Sequence, residues 1–320
     1  MEDVITAREK VGWPPGRSTW SDVDSEGSGR AVVRAHHGEF LQGVFPEGRR
    51  LIRGLISVPC DLYSASATFV PAEEPELTVD PGWKSKARAA AVLALTELGR
   101  SGTGGHLRLT GGAPLRRGFG SSTSDVIATI FAVYRAFAEK LTSEAAAVLA
   151  VRAEQASDSL MFDRRAVLFA HLDGGVIEDF GAELPPIGVL GFGTSPDGLG
   201  VDTAALPPAR YSSWEIEEFR VLRTMFRRAV VSEDVELLGR VASASAGINQ
   251  RHLPVRAFDR LQALAECGGA IGLQVAHSGD IAGLLFDVDD PDLEGKMEQN
   301  ASALRELGII RQWRFGVGAR

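Results

Sequence analysis

The stretch Pro114-Leu115-Arg116-Arg117-Gly118-Phe119-Gly120-Ser121-Ser122-Thr123-Ser124-Asp125 decides the fold, because it leads from a strand pattern through a glycine loop into the start of a helix. Upstream, His106-Leu107-Arg108-Leu109-Thr110 reads as a strand. Downstream, Val126, Ile130, Val133/Tyr134 and Phe137 recur at three-to-four spacing and predict a helix with one apolar stripe facing a core. Gly118 and Gly120 let the backbone turn tightly and approach a ligand without a Cβ in the way. The N–H groups of a first helical turn, with the helix dipole behind them, favour a bound anion. Ser121 and Ser122 add hydroxyls that can donate to phosphate oxygens, and one of them can ligate Mg²⁺. No Gly-Lys-Ser/Thr follows the glycines, so this is not a Walker A loop. The competing reading is a Ser/Gly-rich loop that caps a helix and holds no ligand.

Outward from this stretch, strand and helix signals mix in both halves of the chain without strict alternation, which predicts an α+β fold. Ala31–Ala35 reads as a first strand ending in a turn at His37-Gly38-Glu39, followed by β-rich blocks over 50–58 and 61–70. Helices are predicted over 84–98 and from Ser143 to Ser157, with Ser143 as N-cap, then a hairpin of Ala166–Leu172 and Val176–Phe180. Pro185-Pro186 punctuates the chain, and a domain boundary is placed near 184. Beyond it come a strand from Ile187, helices at about 213–230, 232–248 and 255–267, two strands flanking His277-Ser278-Gly279-Asp280, a helix and a last strand. Residues 1–29, rich in Gly, Ser, Pro and charge, read as an N-terminal extension.

Composition narrows the function. A net charge of −8 over 320 residues argues against a nucleic-acid partner. Cys60 and Cys267 fall outside any metal-type spacing and make no disulfide framework, which fits a reducing cytoplasm. No apolar run approaches the roughly 20 residues that cross a bilayer, and no signal peptide is read. Near the end of the second predicted helix, Glu154 and Asp158 place two carboxylates four positions apart. A charged helix end is the plainer reading of the same pair. Adjacent His36 and His37 make no convincing metal site, because neighbouring side chains on a strand point to opposite faces.

The glycine loop resembles the second signature of the GHMP kinases (galactokinase, homoserine kinase, mevalonate kinase), Pro-x-x-x-Gly-Leu-Gly-Ser-Ser-Ala. Ser121-Ser122-Thr123-Ser124-Asp125 is closer to the Ser-Ser-Thr-Ala-Asp of the L-threonine kinase branch, which serves cobalamin side-chain synthesis and propanediol utilisation. Gly38-Glu39-Phe40-Leu41-Gln42-Gly43 resembles that branch's Gly-Glu-Leu-x-Gln-Gly. The run from Ala276 to Phe286 resembles its His-Ser-Gly-Ser-x-x-Gly-Leu-Leu, and Glu154-Gln155-Ala156-Ser157-Asp158-Ser159 its Glu-Pro-Thr-Asp-Ser. The matches occur in the family's order and span residues 31 to about 290.

The resemblance implies a two-domain GHMP kinase architecture. A ribosomal protein S5 domain 2-like ATP-binding domain (30–184) would pack on a ferredoxin-like domain (185–320), with the active site between them. It implies ATP and Mg²⁺ as cofactors. Pro114, Arg117, Gly118, Phe119, Gly120, Ser121, Ser122 and Thr123 would then lie on the nucleotide, with Arg116 or Arg117 either adding charge near the phosphates or solvated. Ser122 and Glu154 would hold the metal and Asp158 would act on the acceptor hydroxyl, with Asp163 as a weaker rival. Glu39, Gln42, His37, His277, Ser278 and Gly279 would meet the acceptor, a small-molecule hydroxyl compound, and a homodimer is the assembly considered. The implied reaction is phosphorylation of L-threonine to O-phospho-L-threonine. The branch's Pro-x-Ser-Cys-Gly-Glu is replaced here by Arg34-Ala35-His36-His37-Gly38-Glu39, which reshapes a pocket wall and leaves the acceptor's identity open; two alternatives to the threonine reading stand. One is a secondary-metabolite kinase acting on another amino acid, alcohol or guanidino acceptor; the other is a non-catalytic nucleotide- or metabolite-binding regulator.

Overall fold

The computed structural model describes residues 27–115, 117–195, 209–276 and 280–318. Two long strands form its spine: β1 (Gly29–Glu47) and β2 (Arg50–Ala72), antiparallel from Gly29↔Phe69 to Glu47↔Arg50. The turn expected at His37-Gly38-Glu39 is instead a set of bulges inside a continuous β1, with register shifts between Arg34 and Ala35, His36 and Glu39, and Glu39 and Leu41. A glycine signals a turn and a bulge alike. Gly38 takes φ +69°, and a Cβ there would lie 2.4 Å from the Gln274 side chain.

The remaining elements are β3 (Leu77–Asp80), α1 (Ser85–Glu97), β4 (Gly104–Gly111), α2 (Ser121–Ala136), α3 (Ser143–Glu154), a 3₁₀ turn at Ser159–Phe162, β5 (Arg165–Ala170) and β6 (Gly175–Glu183). There follow β7 (Ile187–Gly193), α4 (Ser213–Val231), α5 (Val235–Asn249), α6 (Phe258–Cys267), β8 (Gly272–Val275), β9 (Ile281–Asp287), α7 (Leu293–Glu306) and β10 (Gln312–Val317). The strands run β10-β7-β9-β8-β1-β2-β4-β3 in one sheet, with the β5–β6 hairpin attached to β2. Within it, β10-β7-β9-β8 is antiparallel throughout and has the order of a ferredoxin-like unit. This unit joins the rest of the sheet through the pair Glu39↔Val275.

On one side, α1, α2 and α3 cover β1, β2 and β4 over a core that includes Phe69, Leu107, Ile127, Ile130 and Phe169. A second core, with Phe40, Phe45, Phe219 and Phe226, packs α4 and α5 against β1. The single apolar stripe expected on α2 is too narrow a description: every residue from Thr123 to Tyr134 is buried. Its hydroxyls survive burial by bonding back along the helix, Ser124 Oγ to the Gly120 carbonyl at 3.0 Å and Thr129 Oγ1 to the Asp125 carbonyl at 2.7 Å. The start of α3 also differs from expectation: Thr142, not Ser143, is the N-cap, accepting from the Ala145 N–H at 3.2 Å. Residues 1–26 of the expected extension lie outside the described residues. No described helix is long and apolar enough to cross a membrane.

Candidate active site

The glycine loop enters α2 through Gly120, the N-cap, in the left-handed region at φ +65°. Glycine has no side chain to cap the N–H groups of the first turn, so the helix start presents them to whatever lies in front. The tightness is local: a Cβ on Gly120 would sit 2.2 Å from the His36 ring and 3.2 Å from an Asp158 carboxylate oxygen. The loop is tied to the sheet at two points. The His36 N–H donates to the Phe119 carbonyl at 3.1 Å, and the Asp280 N–H to the Arg117 carbonyl at 3.3 Å. The ring of Phe119 anchors it from below, 5.5 Å from His37, 5.0 Å from Tyr63 and 5.5 Å from Trp313.

In front of this helix start stand the two carboxylates from the end of α3. Gln155 closes that helix in the left-handed region, and the chain returns through Asp158 at the head of the 3₁₀ turn. Ser122 Oγ donates to Glu154 Oε2 at 3.0 Å, and Lys86 Nζ lies 3.8 Å from the same oxygen. Thr123 Oγ1 donates to Asp158 Oδ2 at 3.2 Å, and His36 Nε2 meets that oxygen at 2.9 Å. The other ring nitrogen of His36 is 3.8 Å from Glu39 Oε1.

These groups are buried, and burial sets their protonation. Burial, then the nearby Asp158 charge, pushes the Glu154 carboxyl up to about 7, against the weaker pulls of Lys86, Thr123 and Ser122. Its Oε1 has no hydrogen-bond partner among the described residues. Burial alone would lower His36, but the charge and hydrogen bond of Asp158, with Glu39 behind it, raise the imidazole to about 9. Burial takes neighbouring His37 the other way, to about 3, and the charge on His36 adds to it. The two imidazoles do point apart. His37 lies among Phe119, Trp313 and Phe315 and meets the Gln274 amide.

Ser122, Thr123, Glu154 and Asp158 thus come together at one helix start, with Gly120 against Asp158 and Glu39 behind His36. Others lie elsewhere. Arg117 is buried against Asp280, Nε to Oδ1 at 2.9 Å, and Pro114 is exposed. Gln42 is held by its backbone, its N–H on Ser245 Oγ and its carbonyl on Asn249. Asp163 turns to Arg34, 3.6 Å away, rather than to the His36–Asp158 pair. Arg116, His277, Ser278 and Gly279 lie outside the described residues. Sequence reasoning missed Lys84, whose Nζ pairs with Asp125 at 2.8 Å, as well as Lys86 and the link from His36 to Asp158. Lysines at a helix start carry no signal of such partners; the doubled histidine was a signal, read only as a pocket wall.

The sequence pattern of the GHMP kinases N-terminal domain matches residues 85–169, which hold α1, the glycine loop and both carboxylates. An L-threonine kinase of Citrobacter freundii is 32% identical over 184 residues, 57% of this chain and 62% of that one, so the match spans less than two thirds of the relative. An L-threonine kinase of Salmonella typhimurium is 28% identical over 302 residues, 93% of this chain and 94% of that one. In fold, homoserine kinase from Cytophaga hutchinsonii superimposes with a TM-score of 0.63 at 15% identity, covering 94% of this chain and 97% of that one. Mevalonate kinase of L. major, solved with R-mevalonate, gives 0.61 at 18% identity, covering 93% and 97%. The two-part α+β sheet and the loop at the head of α2 therefore have their counterparts among the GHMP kinases: residues 85–169 match that family's N-terminal domain, and the chain is similar to L-threonine kinases in sequence and to homoserine and mevalonate kinases in fold.

Proposed function

We propose that this chain transfers the γ-phosphoryl group of ATP to the hydroxyl of a small amino acid, L-threonine first among the candidates, giving O-phospho-L-threonine. One observation carries the reading: the Asp158 carboxylate is held 3.2 Å from Thr123 on the helix start whose open N–H groups suit a polyphosphate. An acceptor hydroxyl bound at Asp158 would lie beside the phosphate that it attacks. Residues 30–184 would form the ATP-binding domain and 185–320 the second domain.

The residues fit a divalent cation. Ser122 and Glu154 offer hard oxygen donors, and the unbonded Oε1 of Glu154 lacks any partner among the described residues to offset its burial. These two residues would hold Mg²⁺, which neutralises charge on the transferred phosphoryl group when bound. The N–H groups at the start of α2 orient the phosphates, with Lys86 adding positive charge beside Glu154. Asp158 accepts a hydrogen bond from the acceptor hydroxyl and takes its proton as the new P–O bond forms and the bond from the γ-phosphorus to the bridging oxygen breaks, releasing ADP. The closed packing of Phe119 with His37, Tyr63 and Trp313 keeps the loop from sagging when the anion leaves.

The L-threonine assignment rests on the two relatives, each an L-threonine kinase at modest identity. His36 and His37, both fully buried beside the loop, favour a second reading in which the wall they replace admits a different amino acid or a guanidino acceptor. The test is ADP release with MgATP against L-threonine, L-serine, L-homoserine and guanidino acids, with the product identified by ³¹P NMR. Turnover with L-threonine at least tenfold above every other acceptor supports the first reading. ATP binding with no ADP release on any acceptor would overturn both.

A further inference from the structure

The end of α2 farthest from the glycine loop opens on a cleft of about 650 Å³, within the size range of small-molecule sites. It is separate from the candidate active site. With 16 residues, α2 puts about 24 Å between its two ends. The floor of the cleft is apolar, with Phe131, Met161 and Phe162 all buried in it. Tyr134 lies beside them, only 7% exposed, and its hydroxyl has no hydrogen-bond partner among the described residues. Charge of both signs surrounds this floor, and part of it is already engaged. Asp163 turns to Arg34, Arg165 to Glu144 and Asp179, and Arg135 donates to the Arg30 carbonyl at 2.6 Å. Arg164, Lys140, Glu139 and Glu183 also line the cleft, and none of their side chains makes a hydrogen bond or ion pair among the described residues.

Two helix ends meet here with opposite poles. Tyr134 and Arg135 belong to the last turn of α2, whose carbonyls make that end negative. Thr142 and Ser143 begin α3, whose N–H groups make that end positive. Glu139 reinforces the negative side: burial, then the charges of Glu97 and Glu139, raise the Tyr134 hydroxyl. Cations and carboxylates left unpaired in equal number, two opposed dipoles and an aromatic floor match a ligand that is itself dipolar. We propose that this cleft is a second ligand site, which takes a free α-amino acid with a large apolar side chain. Its carboxylate meets Arg164, Lys140 and the start of α3. Its ammonium group meets Glu139, Glu183, the Tyr134 hydroxyl and the end of α2. The apolar side chain covers Phe131 and Phe162. A plain organic anion would leave the two carboxylates facing it, and a plain amine the two cations.

The cleft and the active site share one element, because Met161 and Phe162 lie on the 3₁₀ turn whose N-cap is Asp158. The test has to tell the two places apart. It uses the full chain without ATP, so its outcome is independent of the kinase reading. L-phenylalanine, titrated by calorimetry, should bind with a Kd of about 1 mM or tighter. 3-Phenylpropionate and phenethylamine, which carry one charge each, should bind about tenfold more weakly. Arg164→Gln and Glu183→Gln should each weaken L-phenylalanine about tenfold with circular dichroism unchanged, whereas Asp158→Asn should leave its binding as it is. Methyl-labelled methionine gives a local readout in the native chain: the Met161 signal, assigned by its loss in Met161→Leu, should move on titration while those of Met225 and Met297 stay. Absence of binding at about 10 mM overturns the proposal, as it would if residues 1–26 of the same chain filled the cleft. An unmoved Met161 signal, or binding lost in D158N and kept in R164Q, places the amino acid elsewhere and overturns it too. If 3-phenylpropionate binds as tightly as L-phenylalanine, the cleft takes an organic anion and the amino acid assignment is wrong.

Discussion

Glu154 and Asp158 are four residues apart, both buried and both aimed at the start of α2, yet they are dressed in opposite ways. Glu154 meets a neutral hydroxyl, has Lys86 at 3.8 Å and leaves one oxygen without a hydrogen bond among the described residues. Asp158 has an imidazole in direct contact. The difference teaches how one short segment can supply two functions. A buried carboxylate with only a distant internal cation is costly until a closer one arrives, which suits a metal ligand. A carboxylate with its own cation is already compensated and keeps its charge for a hydroxyl.

The sharpest way to break this contrast is to neutralise each carboxylate without changing its shape. Asp158→Asn should lower kcat by about 10³-fold, within the range for a lost general base, with KM for ATP little changed. An ADP-release assay showing less than a tenfold loss would end the assignment. Glu154→Gln should instead act through the cation. The Mg²⁺ concentration for half-maximal rate should rise, and the rate at about 1 mM Mg²⁺ should fall on the order of 100-fold, at least as much as is lost with an outer-shell ligand. If the two variants gave the same Mg²⁺ dependence, the distinction drawn between the two groups would be wrong.

How far this contrast could be read in the sequence depends on the distance along the chain. The glycine loop and the carboxylate pair are each local runs: residue type and spacing placed the loop at a helix start, and the resemblance to the GHMP kinases singled out the pair near a helix end. The dressing is not local. His36 reaches Asp158 across 122 positions, and Lys84 reaches Asp125 across 41. No periodicity reports such pairs. The fold shows the same limit. The ferredoxin-like half was legible as mixed strands and helices, whereas four-residue β3 is too short to show a period. The bulges of β1 read as a turn because Gly38 suits both. The all-round burial of α2 was hidden by serines and threonines that look solvent-facing until their bonds back to the chain are seen.

A third ion pair sharpens the contrast by separating burial from chemistry. Arg117 and Asp280 are as buried as the carboxylates, but their pairing joins the glycine loop to the start of β9, and Arg311 lies 3.7 Å from the same aspartate. Arg117→Ala should destabilise the chain by about 3–5 kcal/mol, the cost of leaving one member of a buried pair alone. The melting temperature should drop by on the order of 10 °C. If the melting temperature held while KM for ATP rose tenfold, Arg117 would belong with the nucleotide ligands instead.

The smallest expected effect is a pH dependence of stability in which the two dressings occupy different windows. The Glu154 carboxyl is held at about 7 in the folded chain against 4.5, so the fold binds its proton more tightly than the unfolded chain does. Its contribution is full below about 4.5 and is lost as pH rises through about 7, at most about 3 kcal/mol over that window. His36, raised from 6.5 to about 9, has the same sign in a later window: full below 6.5, lost as pH rises through about 9. Melting temperature measured without Mg²⁺ should therefore slope downward from about pH 6.5 to pH 8, above the range in which His37, lowered from 6.5 to about 3, contributes with the opposite sign. In Glu154→Gln the early part of the slope should flatten while the part above pH 7 remains, because only the first belongs to Glu154. Added Mg²⁺ should do the same to the native chain, raising its melting temperature at pH 8 and leaving it nearly unchanged at pH 5, where the proton already occupies the carboxylate. A rise of equal size at both pH values would mean that the cation binds somewhere other than Glu154.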